Sequence, residues 1–219
     1  MYREWDLPSP LVRCAWSATV EVNGTWLQPA TEFWGLGFSS TADGPTAELL
    51  GPAAAPQEMC LRAGDTSWGV EFAAHVFFRG VSKDAATQVM PLPVHESTFE
   101  LAGFALTLPA PTELSTLVDD LRRRGLLTAE EQVAAALDGR VDRTVSTRTL
   151  RRRVHSTVGL NRQQVAVIVR ARQAFALLSE GVPVAEVVVR AGYSDQAHLT
   201  RSLRTLAGRT PREILLTDR

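Results

Sequence analysis

Two groups of arginines recur at the spacing of helical turns, and they are the residues of this chain best suited to chemistry. One group is Arg148, Arg151 and Arg152, and the other is Arg201 and Arg204. A guanidinium group is planar and permanently charged, so it binds phosphate oxygens or the edge of guanine through two parallel hydrogen bonds. Arginines gathered on one outward helix face therefore suit contact with duplex DNA. The alternative interpretation is a solvated helix face.

Charge is divided unequally between the two halves of the chain. Residues 121–219 contain 18 arginines, no lysine and nine acidic residues, whereas residues 1–120 contain five basic and 15 acidic residues. These halves carry +9 and −10, which nearly cancel in the formal net charge of −1. The asymmetry favours a basic module for a polyanion, joined to an acidic module with another task.

Other kinds of chemistry have little support in the sequence. His75, His95, Cys14 and Cys60 are the candidates for a metal site, but no pair has ligand spacing, and His75 is predicted inside a core strand. The sequence shows no catalytic triad, phosphate-binding glycine loop or pair of carboxylates, so we expect no enzyme activity, cofactor or metal. If the chain were an enzyme with a DNA-directing domain, Cys14 would be the candidate nucleophile.

The second half is predicted to be all-α, because apolar residues recur at helical spacing between caps and stops. Thr128 and Thr210 each begin a capping-box pattern, while Ser146 and Asp195 are predicted single caps. The helices are predicted over 114–121, 128–137, 147–158, 162–178, 183–191 and 195–207, with a last one following Thr210. The pair 183–191 and 195–207 has the layout of a helix-turn-helix, in which the second helix reads DNA.

Burying the leucines and valines of two of these helices decides which side chains remain for DNA. On helix 195–207 the outward residues are Ala197, Arg201 and Arg204, with His198 and Thr205 beside them. On helix 147–158 they are Arg148 and Arg152, with His155, Thr149 and Ser156 around them and Arg151 on the flank. Helix 162–178 joins the two units, which would place two reading helices in successive major grooves about 34 Å apart.

The first half is predicted to be β-rich, because short runs rich in valine and aromatics alternate with turn residues. All five tryptophans lie in this half, which favours an aromatic interior and makes a cleft among them the natural ligand site. The strands are predicted over Cys14–Val22, Glu32–Ser39, Glu58–Ala63 and Ser67–Phe78, with a short helical or irregular region near Lys83–Val89.

The proline-rich run Leu108–Pro111 is the predicted linker between two domains. Residues 1–110 are the predicted sensor or dimerisation domain, and residues 111–219 the predicted helical domain. No apolar run reaches the roughly 18 residues of a membrane span, and the N-terminus lacks the features of a signal peptide. The cytoplasm is therefore the expected location.

Several runs in the helical half have the spacing of a known family. They are Ser146-Thr-Arg-Thr-Leu150-Arg-Arg152, Gly159, Arg170-Ala-Arg172, Ala174, Leu177-Leu178, Ala191-Gly-Tyr-Ser-Asp195-Gln-Ala-His-Leu199-Thr-Arg201 and Gly208-Arg-Thr210-Pro211. Over about Val145 to Leu216, the chain resembles the DNA-binding domain of the arabinose-regulator (AraC/XylS) family. That resemblance implies a bacterial transcription regulator whose two recognition helices enter adjacent segments of the major groove.

The resemblance also assigns base-facing positions. In the first recognition helix they are Arg148, Arg151 and Arg152; in the second they are Gln196, Ala197, His198 and Arg201. His155 and Arg204 complete the predicted DNA-binding set from the outward faces, although histidines such as His155 and His198 more often contact phosphate or solvent than a specific base. Val154 and Asn161-Arg162 depart from the family pattern, which leaves open whether the first helix reads bases or only binds phosphates.

The acidic half resembles, at a few short motifs, the β-rich N-terminal domain of some members of that family. The motifs are Tyr2-Arg-Glu-Trp5, Cys14-x-Trp16, Gly51-Pro52 and Gly69-Val-Glu-Phe72. In such regulators this domain senses a ligand or forms dimers, and it is often cupin-like.

The sequence therefore predicts an α+β protein with a β-rich domain followed by a double helix-turn-helix domain. We expect a sequence-specific transcription regulator with duplex DNA as partner and no membrane association. A small-molecule effector and a homodimer are left open. The alternative is a protein-interaction module that controls another regulator, in which the acidic half masks the basic helices.

Overall fold

The computed structural model of the chain describes residues 1–81, 89–137, 139–140 and 145–217. The predicted region at Lys83–Val89 lies outside this description except for Val89. The strands are β1 (Tyr2–Trp5), β2 (Val12–Thr19), β3 (Gly24–Gln28), β4 (Gly35–Thr41), β5 (Gly44–Leu50), β6 (Gln57–Leu61), β7 (Thr66–Phe72), β8 (Val76–Phe78), β9 (Val89–Leu92), β10 (Val94–His95), β11 (Thr98–Leu101), β12 (Phe104–Thr107) and β13 (Leu127–Ala129). The helices are α1 (Leu114–Arg123), α2 (Glu131–Leu137), α3 (Thr147–Val158), α4 (Arg162–Ser179), α5 (Val184–Arg190), α6 (Gln196–Ala207) and α7 (Pro211–Thr217).

Six strands form the main sheet, in the order β1-β2-β7-β4-β5-β9. Its neighbours are antiparallel, so alternate side chains of the central strands enter one core. Phe38, Phe72 and Phe99 are fully buried there and meet other aromatic rings edge-on or tilted. The interior is therefore aromatic, but phenylalanines supply most of it: of the five tryptophans only Trp34 is buried, and Trp26 is exposed.

Helix α1 belongs to the core of this β-rich part. Leu114, Leu117, Val118 and Leu121 are buried in the same apolar cluster as the sheet residues, as their helical spacing predicts. The predicted linker before α1 is also packed: Pro109 is buried, and its carbonyl accepts a hydrogen bond from the Trp68 indole at 3.0 Å.

Contacts divide the chain into two compact units that do not follow the predicted boundary at residue 110. The first unit is 1–24, 33–52 and 60–159, and it includes α1, α2 and α3. The second unit is 25–32, 53–59 and 160–219. Two short segments of the acidic half thus belong to the same unit as α4–α7.

Several local predictions need correction. Thr128 does not open a helix, because it lies in β13, where it pairs with Phe77 of β8. The predicted strand Ser67–Phe78 is two strands, and His75 lies in the turn between them rather than in a core strand. The helical spacing of α4 predicts a buried Phe175, but this side chain is only half-buried, and Ala174 is buried instead.

The β-rich first part and the helical C-terminal part confirm the α+β fold class. A cupin-like form of the first part stays a prediction. None of the described helices is long and apolar enough to cross a membrane.

Candidate nucleic-acid interface

Helix α3, called the first reader below, is set by local signals at both ends. The Ser146 hydroxyl accepts a hydrogen bond from the backbone N–H of Thr149 at 3.2 Å, which satisfies one of the open donors of the first turn. Gly159 ends the helix with a φ of 78°, a conformation that costs glycine little. Val154, Thr157 and Val158 are buried, so one face of the helix is fixed.

The opposite face of the first reader carries the predicted DNA-binding residues. Arg148, Arg151, Arg152 and His155 are all exposed. None of the three arginines forms an ion pair with any residue that the structure describes. Their charges are therefore available to an external anion.

The first reader is anchored to the β-rich part of its unit. It packs against α2 and β8. Near its C-terminus, the carbonyl of Thr157 accepts a hydrogen bond from the Trp34 indole at 3.0 Å. The last carbonyls of a helix have no partner within the helix, so this bond satisfies a buried group that would otherwise be open.

Helix α6, called the second reader below, is capped by Asp195. The carboxylate accepts the backbone N–H of His198 at 2.7 Å and the hydroxyl of Ser194 at 3.0 Å. The backbone bond, followed by the hydroxyl bond, lowers the pKa of Asp195 below its ordinary value, because both stabilise the charged form. Gly208 ends the helix with a φ of 67°.

The outward face of the second reader has the composition expected of a groove-reading surface. Gln196, Ala197, Arg201 and Arg204 are exposed, while His198 is half-buried. Neither arginine is ion-paired within the described part of the chain. A small residue near the N-terminus of the helix allows close approach to a groove, and arginines one and two turns later can bond guanine or phosphate.

The turn before the second reader is fixed by Tyr193, whose contacts sequence reasoning did not identify. Its side chain is buried, and its hydroxyl lies 3.0 Å from the Ser202 hydroxyl of α6. The Arg170 guanidinium of α4 lies 5.0 Å from the centre of the ring, and the His198 ring meets it edge-on at 5.1 Å. The tyrosine thus links α4, the turn and the reader. The aromatic in the family motif was the available signal.

The C-terminal end of the second reader is held by residues 25–32, which sequence reasoning also missed. The backbone N–H of Ala30 bonds the carbonyl of Leu206 at 2.7 Å. Leu27 lies so close to Gly208 that a Cβ at that position would overlap it, and Arg209 lies over the Trp26 ring at 5.0 Å. The segment therefore covers the end of α6.

An ion pair between a buried carboxylate and an exposed arginine connects the same segment to α4. Glu32 is only 1% exposed, and its carboxylate accepts a hydrogen bond from the Arg172 guanidinium. A buried carboxylate is costly unless it is paired, so this contact fixes how residues 25–32 lie on the helices.

The structure gives less support to the candidate nucleophile Cys14 and to the candidate metal ligands. Burial, reinforced by the nearby Glu71 carboxylate, raises the pKa of the Cys14 thiol to about 12, so Cys14 is protonated near neutral pH and a poor nucleophile. Cys60 is exposed. Among the described residues, no three histidine, cysteine, aspartate or glutamate side chains are grouped so that they could hold a metal.

Comparison with known proteins agrees with this geometry. The sequence model of a family described as "Helix-turn-helix domain" matches residues 144–216, which confirms the predicted resemblance of this segment to the arabinose-regulator type. No curated protein matches the chain significantly.

Among the solved structures, ToxT from Vibrio cholerae is similar to the chain over nearly its whole length. The match covers 98% of each chain, with a TM-score of 0.53 and 7% sequence identity. At that identity the likeness concerns the fold alone.

Proposed function

We propose that this chain, whose residues 144–216 form a helix-turn-helix domain of the arabinose-regulator type, is a bacterial transcription regulator that recognises specific duplex sites. The observation that carries the proposal is the pair of capped reader helices, each with exposed arginines that form no ion pair with a described residue.

Affinity and specificity would come from different contacts of these helices with DNA. Arginines on both readers would bind phosphates, which supplies most of the affinity and makes it depend strongly on salt. The N-terminal residues of a recognition helix contact base edges in this class of motif. Gln196, Ala197, His198 and Arg201 would therefore supply the sequence preference.

The test uses the full chain and a pool of random duplexes. We expect enrichment of a defined site whose affinity falls steeply as salt is raised. Arg201→Ala should lose about 1–3 kcal/mol of discrimination at one position of that site. Arg152→Ala should weaken binding to every sequence and reduce the salt slope by about one.

Arg62→Ala is the matched control for these variants. It removes the same charge from an exposed arginine that is paired with Asp43 in the acidic half. We expect no change in site preference. Absence of salt-sensitive binding to any duplex would overturn the proposal.

We further propose that the β-rich part adjusts DNA binding in response to a ligand or partner. The support is that the first reader belongs to the same compact unit as the β-rich core and is bonded to Trp34 within it. A change in the packing around Trp34, which meets the Phe78 ring edge-on at 6.1 Å, would reach α3 through one hydrogen bond. The alternative, in which carboxylates of the acidic half mask the reader arginines, stays a prediction.

This coupling can be tested without knowing the effector. Trp34→Phe should raise the amide-exchange rate of residues 147–158 and weaken DNA binding, whereas Trp68→Phe should leave both unchanged. Trp68 donates its indole N–H to Pro109 rather than to a reader. Equal effects of the two variants on DNA binding would contradict the coupling.

A further inference from the structure

The imidazole of His198 is held in a network that decides which of its two nitrogens carries the hydrogen. Its Nδ1 lies 3.1 Å from the Ser194 hydroxyl oxygen. That same oxygen lies 3.0 Å from the Asp195 carboxylate. A neutral imidazole has one N–H donor and one bare nitrogen acceptor, and the neighbours determine which is which.

Counting hydrogens in this network leaves one arrangement for the neutral ring. The Ser194 hydroxyl has a single hydrogen, and the ionised Asp195 carboxylate can only accept, so the hydroxyl donates to the carboxylate. The serine oxygen must then accept from His198, which requires a hydrogen on Nδ1. The other nitrogen, Nε2, is consequently a bare acceptor.

Asp195 is well suited to hold this arrangement. Its second oxygen accepts the His198 backbone N–H, so both oxygens are engaged by residues next to the ring. These bonds lower the pKa of the carboxyl group, which keeps it ionised and acceptor-only near neutral pH.

The ring itself is fixed in place. It meets Tyr193 edge-on, with an angle of 83° between the planes, and the side chain is half-buried. Among the described residues, Nδ1 has a partner and Nε2 has none. The acceptor is therefore left for a group outside the protein, in the first turn of the second reader, where base edges are contacted.

From this geometry we infer that His198 reads DNA as a hydrogen-bond acceptor, selecting a base that presents an exocyclic amino group in the major groove. The inference rests on the proposed function. Adenine N6 and cytosine N4 are the major-groove amino donors. Guanine N7 and O6, thymine O4 and phosphate oxygens are all acceptors, and a bare Nε2 cannot pair with any of them.

The tautomer can be measured first, without DNA. Long-range proton–nitrogen NMR of the full chain, at a pH well above the ordinary histidine range, should show a protonated Nδ1 and a bare Nε2 for His198. Ser194→Ala removes the acceptor of the Nδ1 hydrogen and should shift the ring towards the other tautomer. A wild-type ring with its hydrogen on Nε2 would overturn the inference while leaving the proposed function intact.

Selection of DNA sites then tests whether His198 selects adenine or cytosine. Sites enriched by the wild-type chain should contain one position, adenine or cytosine, whose preference is lost in His198→Ala while the remaining positions persist. Replacing that base with an analogue that lacks only the amino group, purine for adenine or 2-pyrimidinone for cytosine, should cost the wild type about tenfold in affinity. The same replacement should cost His198→Ala nothing.

The outcomes separate the two proposals. Enrichment of guanine or thymine at the His198-dependent position, or a site with no such position, overturns this inference alone. Failure of the wild type to bind any duplex overturns the proposed function and this inference with it. Arg201→Ala is the matched control. It should change the base preference at a different position of the site, and the base analogue without the amino group should still weaken its binding.

Discussion

The two readers end alike, but each receives its closing hydrogen bond from a different part of the acidic half. Each ends at a glycine of positive φ, and in each the carbonyl of the second-last residue accepts a donor from far away in sequence. For the first reader the donor is the Trp34 indole, bonded to Thr157. For the second it is the backbone N–H of Ala30, bonded to Leu206.

This difference indicates that the two helix-turn-helix units are not interchangeable. The bond to the first reader comes from a side chain inside the aromatic core, so a change of that core can alter it. The bond to the second reader comes from the main chain of a segment that Glu32 fastens to α4. We therefore expect the first reader to be the more adjustable of the two.

The largest expected effect concerns the ion pair that connects residues 25–32 to α4. Arg172→Gln removes a guanidinium that pairs with the buried Glu32 carboxylate, and we expect it to lower the free energy of unfolding by about 3 kcal/mol. Chemical denaturation measures the loss, and amide exchange should place it in residues 160–217.

Arg190→Gln is the matched control for that variant. Arg190 pairs with Glu186 on the surface of α5, in the same unit, and exposed pairs of this kind contribute less than about 0.5 kcal/mol. Similar losses for the two variants would show that the pair with Glu32 does not hold the segment.

A smaller effect tests the anchor of the first reader. Trp34→Phe keeps an aromatic ring in the core but leaves the Thr157 carbonyl without its donor, which should cost about 1–3 kcal/mol. Trp68→Phe loses an equivalent bond, to Pro109, and serves as control. Only Trp34→Phe should speed amide exchange in residues 147–158. Equal exchange rates in the two variants would show that the Trp34 hydrogen bond does not anchor the first reader.

The smallest effects concern the two N-terminal caps. Ser146→Ala should destabilise the first reader by about 1 kcal/mol at any pH, since a hydroxyl cap does not titrate in the ordinary range. The cap of the second reader titrates, because Asp195 has a lowered pKa in the folded chain. Its stabilisation is present above the ordinary aspartate range and is lost as pH falls through the folded pKa.

Amide exchange in the first turn of each reader, followed from neutral to acidic pH, checks this contrast. The second reader should loosen on acidification more than the first. Asp195→Asn keeps a capping oxygen and should abolish the difference. A pH response that persists in that variant would show that another group is responsible.

Local signals made the helical half predictable. Ser146, Asp195 and the glycines that follow both readers act within a few residues of themselves, so caps and stops could be read directly from the sequence. The same periodicity predicted the outward faces, and the family motif added Arg151 and Gln196. All but one of the predicted DNA-binding residues are exposed, the half-buried His198 being the exception.

Long-range contacts account for what sequence reasoning missed. Thr128 begins a plausible capping box, but pairing of β13 with β8 overrides it. The sequence of residues 25–32 contains no pattern that predicts its packing on α4 and α6. The family motif placed an aromatic at Tyr193, yet only the structure shows that its ring and hydroxyl connect α4 to the reader.

The discontinuous second unit has a consequence for how the protein is made. Residues 25–32 and 53–59 leave the ribosome first, but their partners in that unit, residues 160–219, are synthesised much later. Contacts so distant in sequence contribute stability only after a long loop has closed. We therefore expect the nascent chain to carry Trp26 and Leu27 uncovered until residues 160–219 have been synthesised, which makes this stretch a natural binding site for a chaperone.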